Sequence, residues 1–232
     1  MPLAFQSNET SKFEASPPNV AGRRRLSAGE RKQQILAGAI KFFAKHGLDG
    51  QVRQLTQELG ITHALLYHYF PTKDALIKQV YEEVFEQRWK PEWEDLLNDK
   101  SLSPEDKLID FYKDYLSSFL TYDLVRILIF SGLSDRSISD RFFDMLRAEL
   151  IPKLIRETRK HCKRKTRAKP SQKELALLMG LHGGIFYIAL SRWIYGQSFY
   201  SDCQPVAEDD IIKDRVTSYL LSAQALFSEH RS

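Results

Sequence analysis

Between Gly47 and Pro71 the chain is punctuated so closely that only two short helices fit. The stretch QVRQLTQELG (51–60) sets Val52, Leu55 and Leu59 on one side of a helix and ends at Gly60. Ile61 follows, and Thr62 is placed to cap the next segment, where Leu66 and Phe70 recur at i, i+4 before Pro71 stops it. Two short helices joined through Gly-Ile-Thr make a helix-turn-helix unit. Ahead of it, GRRRLSAGERKQQILAGAIKFFAKHG reads as a longer helix, with Ile35, Leu36, Ala39, Phe42 and Phe43 inward. Ser27 and Glu30 have the spacing of a capping box, and Gly47 closes the helix. Thr72, with Asp74 and Ala75 behind it, opens a fourth helix.

Downstream the elements lengthen. Helices are expected near 72–97, 103–120, 123–133, 138–163, 171–196 and 207–229, parted by Asn, Asp, Ser and Pro clusters. Pro91 should kink or split the first of these, and Ser103-Pro104 is a cap with proline at the first helical position. No repeat and no strand-forming run is evident, so the fold class is all-α. The expected organisation is a polar, disordered tail over 1–21, a helix-turn-helix domain over 22–75, and a larger helical domain over 76–232. Hydrophobic residues at 43% suffice for a sizeable core.

The net charge of +4 is unevenly spread. Residues 22–75 hold nine Lys/Arg against four acids, whereas 76–232 balance, so the early segment favours a polyanion partner. Two widely separated cysteines, Cys162 and Cys203, argue against a disulfide scaffold and fit a reducing cytoplasm. The longest uncharged run (175–191) contains His182 and three glycines and falls short of the ~20 residues a spanning helix needs. It reads as a buried helix, with no membrane partner.

The cluster HALLYHY (63–69) invites a catalytic or metal reading. His63 and His68 are five apart, about 140° around a helix, and lack the i, i+4 pairing of a metal-binding helix. No nucleophile–base pair, paired carboxylates or metal spacing occurs elsewhere; no catalytic residue, metal or cofactor is expected. With Leu66 and Phe70 taken as the buried side, His63, Tyr67, His68 and Tyr69 lie partly on other sides. A short N-capped helix exposing such groups fits the DNA major groove. Tyrosine hydroxyls suit phosphate oxygens, and Lys73 with the start of the fourth helix adds a second phosphate clamp.

Taken together, RKQQILAGAIKFFAKHG, VRQLTQELGITHALLYHYF and TKDALI resemble the N-terminal DNA-binding domain of TetR-family transcriptional regulators, over residues 27–80. The resemblance implies an all-α homodimer that binds a palindromic operator as a repressor and releases it when a small-molecule effector binds. It carries DNA contact to Arg53, to Thr62, His63, Ala64 and Leu65 at the start of the recognition helix, and to Tyr67, Tyr69 and Lys73; His68 is taken with them. The chain departs from the family pattern at Thr56, where Ala is usual, and at Gln51, where Ser or Thr often caps the second helix. Ala64 and Leu65 also replace a frequent Gly and a small residue. Leu65 could meet a thymine methyl.

In the larger part, Leu175, Leu178, Met179, His182, Ile185, Phe186, Ala189 and Trp193 form one apolar stripe. Ile212, Val216, Tyr219, Leu220, Ala223, Leu226 and Phe227 form another. Two such helices per subunit, near 171–196 and 207–229, would build a four-helix dimer interface. The family's effector site lies within helices 72–133, which points to Trp89, Trp93, Tyr115, Phe119, Arg126 and Phe130, with His182 added beside Gly183. The bland readings are a hydrogen-bonded core histidine for His182 and an internal salt bridge for Arg126. The basic run RKHCKRKTRAKP (159–170) reads as a solvated mobile loop. The alternative to a regulator is a helical small-molecule-binding protein or enzyme whose front domain merely resembles a DNA binder.

Overall fold

The computed structural model describes residues 26–197 and 206–228. The tail, the Arg23–Arg25 run and Cys203 lie outside the described residues. Among the described residues every regular element is a helix. The head comprises α1 (Ala28–His46), α2 (Val52–Glu58) and α3 (His63–Tyr69), followed by α4 (Lys73–Tyr81). The body continues with α5 (Glu92–Asn98), α6 (Pro104–Asp114), α7 (Tyr122–Leu133), α8 (Ser137–Met145), α9 (Ile151–His161), α10 (Gln172–Leu190) and α11 (Glu208–Ser228).

The expected caps form. The Glu30 N–H donates to Ser27 Oγ at 3.2 Å, while the Ser27 N–H donates back to Glu30 Oε2 at 2.8 Å. At Gly60 the backbone takes φ +62, the left-handed region that favours glycine, and this reverses the chain between α2 and α3. Gly38 serves a different need: a Cβ there would sit 2.2 Å from Leu59 Cδ2, so its absence lets α2 close onto α1. Ile35, Leu36, Ala39, Phe42, Phe43, Leu55, Leu66 and Phe70 fill the core of the head. Thr56, buried where a smaller apolar residue was expected, is satisfied by donating to the Arg53 carbonyl at 3.0 Å.

The expected 72–97 helix is divided as Pro91 foretold: α4 runs on through a π-helical turn, Glu82–Glu86, and α5 restarts beyond the proline. Similar π-helical turns extend α6 to Phe119, join α8 to α9, and carry α10 on to Tyr195. Head and body pack directly, α1 lying against both α4 and α7.

Helix α10 with its extension, Gln172–Tyr195, is long and apolar enough to cross a membrane. Within the body it buries Leu178, Leu181, His182, Ile185 and Ala189. Leu178, His182, Ile185 and Ala189 belong to the stripe expected at a subunit interface, and they are instead covered from within the same chain. Ile212, Val216, Tyr219, Leu220 and Ala223 of α11 are likewise internal. An almost uniformly apolar helix has no unique inward face, and packing chose it. The outward side of the pair shows Ala176, Met179, Gly180, Gly183 and Tyr187 on α10, and Ser218, Leu221, Ser222 and Ala225 on α11.

The basic run also departs from expectation. Arg159, only 8% exposed, donates Nε to Glu174 Oε1 at 2.6 Å and Nη2 to Oε2 at 2.9 Å, and Nη1 to the Ala168 carbonyl at 2.8 Å. One guanidinium thereby ties the end of α9, the basic segment and the start of α10 together.

Candidate nucleic-acid interface

Helix α3 is held by its caps and by two side chains. The Leu65 N–H donates to Thr62 Oγ1 at 3.1 Å, and Leu66 and Phe70 anchor the helix in the head. With that side buried, Thr62, His63, Ala64, Tyr67 and His68 face outward. His63 and Tyr67 are one turn apart with ring centroids at 6.3 Å; Ala64 and His68 form the adjacent row. Tyr67 is 42% exposed. Arg53 on α2 is exposed as well. Lys73, half-buried, occupies the first position of α4, whose N-terminus is capped by Thr72 Oγ1 accepting from the Ala75 N–H at 3.0 Å. Free N–H groups and a lysine at one helix start make a local anion-attracting point.

Two expected contact residues stand differently. Leu65 is half-buried and packs against the hydrophobic core, so its side chain serves the head rather than projecting freely. Tyr69 also leans on the core, with its ring edge-on to His68 at 5.0 Å. Both lie on the flank beside Leu66, where a seven-residue helix pressed onto a small core is covered on more than one side. No group of three or more His, Cys, Asp or Glu able to hold a metal is present among the described residues.

The seven effector candidates do not line one cavity. Trp93, Tyr115 and Phe119 are buried in a ring cluster, with Trp93–Phe119 centroids at 5.4 Å and Trp89 edge-on to Trp93 at 5.2 Å. His182 sits among them, 3.3 Å from the Tyr115 hydroxyl and 3.5 Å from that of Tyr112, and burial pushes its pKa down to about 4. It is a neutral core histidine. Arg126 makes no salt bridge among the described residues; its Nε donates to the Ala44 carbonyl of α1, and its guanidinium lies over the Tyr122 and Phe130 rings. Arg126 and Phe130 therefore belong to the head–body seam, since α7 lies against the end of α1 and carbonyls there are the nearest acceptors.

Trp89 and Trp93 do border open space. A hollow of about 650 Å³ beside the Pro91 break is lined by Gln87, Trp89, Lys90, Trp93, Leu96 and Asp114. Asp114, which sequence reasoning missed, gathers Lys90 Nζ at 2.8 Å, Trp93 Nε1 at 2.7 Å and Ser118 Oγ at 3.0 Å. Its signal was an acid set within the aromatic run FYKDYLSSF. Although burial opposes ionisation, these donors hold its pKa below the usual carboxylate range.

Comparison with known proteins agrees with this geometry. Residues 35–80 match the family described as bacterial regulatory proteins, tetR family. The chain is 45% identical over 47 residues to the HTH-type transcriptional repressor Rv1474c of Mycobacterium tuberculosis, covering 20% of this chain and 25% of that protein. It is 33% identical over 66 residues to the HTH-type transcriptional regulator LuxR of Vibrio harveyi, or 28% of this chain and 32% of that protein. The matched part thus spans about a third or less of these relatives. In fold the likeness is wider: a TetR-like transcriptional regulator from Rhodococcus sp. RHA1 superposes with TM-score 0.64 at 19% identity, covering 87% of this chain and 99% of the other. The capped α3, the matched residues 35–80 and the shared all-α body agree: the front of the chain matches the tetR family of bacterial regulatory proteins, and the whole chain shares the fold of a TetR-like regulator.

Proposed function

We propose that this protein is a cytoplasmic DNA-binding transcriptional repressor that acts as a homodimer on a palindromic operator and releases it on binding a small molecule. The observation that carries the reading is the outward row of His63, Ala64, Tyr67 and His68 on a capped α3, flanked by Arg53 and by Lys73 at the start of α4. Thr62, His63, Ala64 and His68 approach base edges, while Arg53, Tyr67 and Lys73 hold phosphates. Leu65 and Tyr69 act from the flank, setting the tilt of α3 on the head. The reading divides the chain into a DNA-binding head, 22–75, and a body, 76–232, that binds effector and partner.

The dimer forms through the outward side of α10 and α11. Among the described residues a Cβ at Gly180 or Gly183 would meet nothing within 4 Å, leaving room for a partner helix to approach closely, and Met179 and Leu221 supply apolar area. The effector enters the hollow at Trp89, Trp93 and Asp114. Helix α4 links this hollow to Lys73: a ligand that shifts the Pro91 break tilts α4 and changes the spacing of the two recognition helices. DNA accepts spacings near one turn, ~34 Å, so a few ångströms abolish binding.

Selection of bound DNA from a random pool by the purified full-length chain tests the proposal. Recovery of a palindrome with half-sites about one helical turn apart supports it. No enriched sequence, together with turnover of a small molecule at the Trp89–Trp93 hollow, would instead favour a helical enzyme or small-molecule carrier.

A further inference from the structure

A second concave site lies where α9 passes the start of α6, a groove of about 550 Å³ lined by Lys100, Lys107, Arg156 and Lys160 around one carboxylate, Glu157. Glu157 is fully buried; its Oε1 accepts from Lys160 Nζ at 2.8 Å and Arg156 Nε at 3.1 Å, and its Oε2 lies 3.4 Å from Lys107 Nζ. Lys107 is 3% exposed, and its other acceptor is the Leu97 carbonyl at 3.3 Å. Both contacts are long for an ammonium, whose charge-assisted bonds run to about 2.7–2.9 Å. An ammonium held at these distances keeps hydrogen-bonding capacity for a closer acceptor.

Elsewhere the body matches its charges more evenly. Lys90 faces Asp114, Lys113 faces Asp209, Arg141 faces Glu86, and Arg159 faces Glu174. Here three cations share a single carboxylate and a fourth stands at the rim. Asp99, a nearby acid within Coulombic reach of Lys107, commits one carboxylate oxygen to the N–H and hydroxyl of Ser101. Arg156 and Lys160 keep about half of their side-chain surface in solvent, so an incoming anion can reach them. Leu102 and Pro104 give the groove an apolar wall.

We propose that this groove binds a small multivalent oxyanion, a phosphate ester or a dicarboxylate, with Lys100, Arg156 and Lys160 as direct contacts and Lys107 as the floor charge. Four cations stand against Glu157 and Asp99, a surplus of two positive charges that an anion of two or more charges offsets. The groove shares no lining residue with the hollow at Trp89 or with the outward side of α3.

Calorimetric titration of the full-length chain with inorganic pyrophosphate, and separately with succinate, at ionic strength held constant with sodium chloride, tests this. Saturable binding of one anion per chain is expected, with affinity falling about tenfold in Lys100→Gln and further in Lys100→Gln/Lys160→Gln. Lys100 is an exposed rim residue, so its replacement leaves the Glu157 network in place. Preference for pyrophosphate identifies a phosphate ester as the natural class, and preference for succinate a dicarboxylate. Heat no different from the chloride control, or undiminished affinity in the double variant, overturns the proposal. So does loss of affinity only in Lys163→Gln/Arg164→Gln/Lys165→Gln, which would put the anion on the basic segment.

Discussion

Replacing Glu174 by glutamine should remove most of the electrostatic tie between α9 and α10. Glu174 is 7% exposed, and the Arg159 guanidinium donating to both its oxygens, with the Ser171 N–H adding a third bond at 2.8 Å, holds its pKa at about 2 against an ordinary 4.5. A pKa unit corresponds to about 1.4 kcal/mol, so the ionised carboxylate contributes roughly 3 kcal/mol at neutral pH. Glutamine keeps the shape but turns an accepting oxygen into a donating amide against Arg159, consistent with the roughly 3–5 kcal/mol lost when a buried pair is broken. The folded value is the lower one, so the contribution is complete above about pH 4.5 and is lost as pH falls toward 2. At pH 3 about 1 kcal/mol should survive. Urea denaturation of both proteins from pH 7 to pH 3, at one protein concentration, reads the gap between them directly. A gap below about 1 kcal/mol at pH 7, or one that stays constant down to pH 3, would refute the reasoning.

Lys73→Ala should weaken operator binding and lower the slope of log affinity against log salt by roughly 0.9 per head; salt titrations of a bound fragment giving the wild-type slope remove Lys73 from the phosphate contacts. The His182 ring, held at about 4 by burial, is neutral in the folded chain, so stability is intact above pH 6.5 and falls as pH drops toward 4. Unfolding free energies from denaturation should fall by about 2 kcal/mol by pH 5, a slope that His182→Gln flattens; an unchanged slope in the variant counts against it. Leu221→Asp, at a position 61% exposed in the single chain, should leave helicity unchanged and dissociate the proposed dimer in sedimentation, whereas wild-type mass in that variant would move the interface elsewhere.

The head was legible in the sequence because its signals are local. Ser27 with Glu30, Thr62 and Thr72 each cap a helix through a bond spanning three residues, and Gly60 and Pro71 end helices through their own backbone chemistry. Pro91 announced its break for the same reason. The outward set on α3 followed from Leu66 and Phe70, since a single inward pair orients a two-turn helix. Leu65 and Tyr69 escaped because the width of the buried side depends on how closely α3 lies on its neighbours.

In the body, local signals placed the helices but not their faces. Helix α10 is apolar nearly all round, so periodicity could not say whether Leu178 and Ile185 or Met179 and Gly183 would turn outward. Arg126 reached carbonyls rather than an acid, Arg159 pinned a segment that composition alone marked as loose, and Lys107 met Glu157 across fifty residues of chain. By itself the sequence determined where helices start and stop, because caps and breakers act within a turn. Which side of each helix is covered, and which charges find one another, was decided only by tertiary packing, because burial and Coulomb interaction depend on distances that no short stretch of chain encodes.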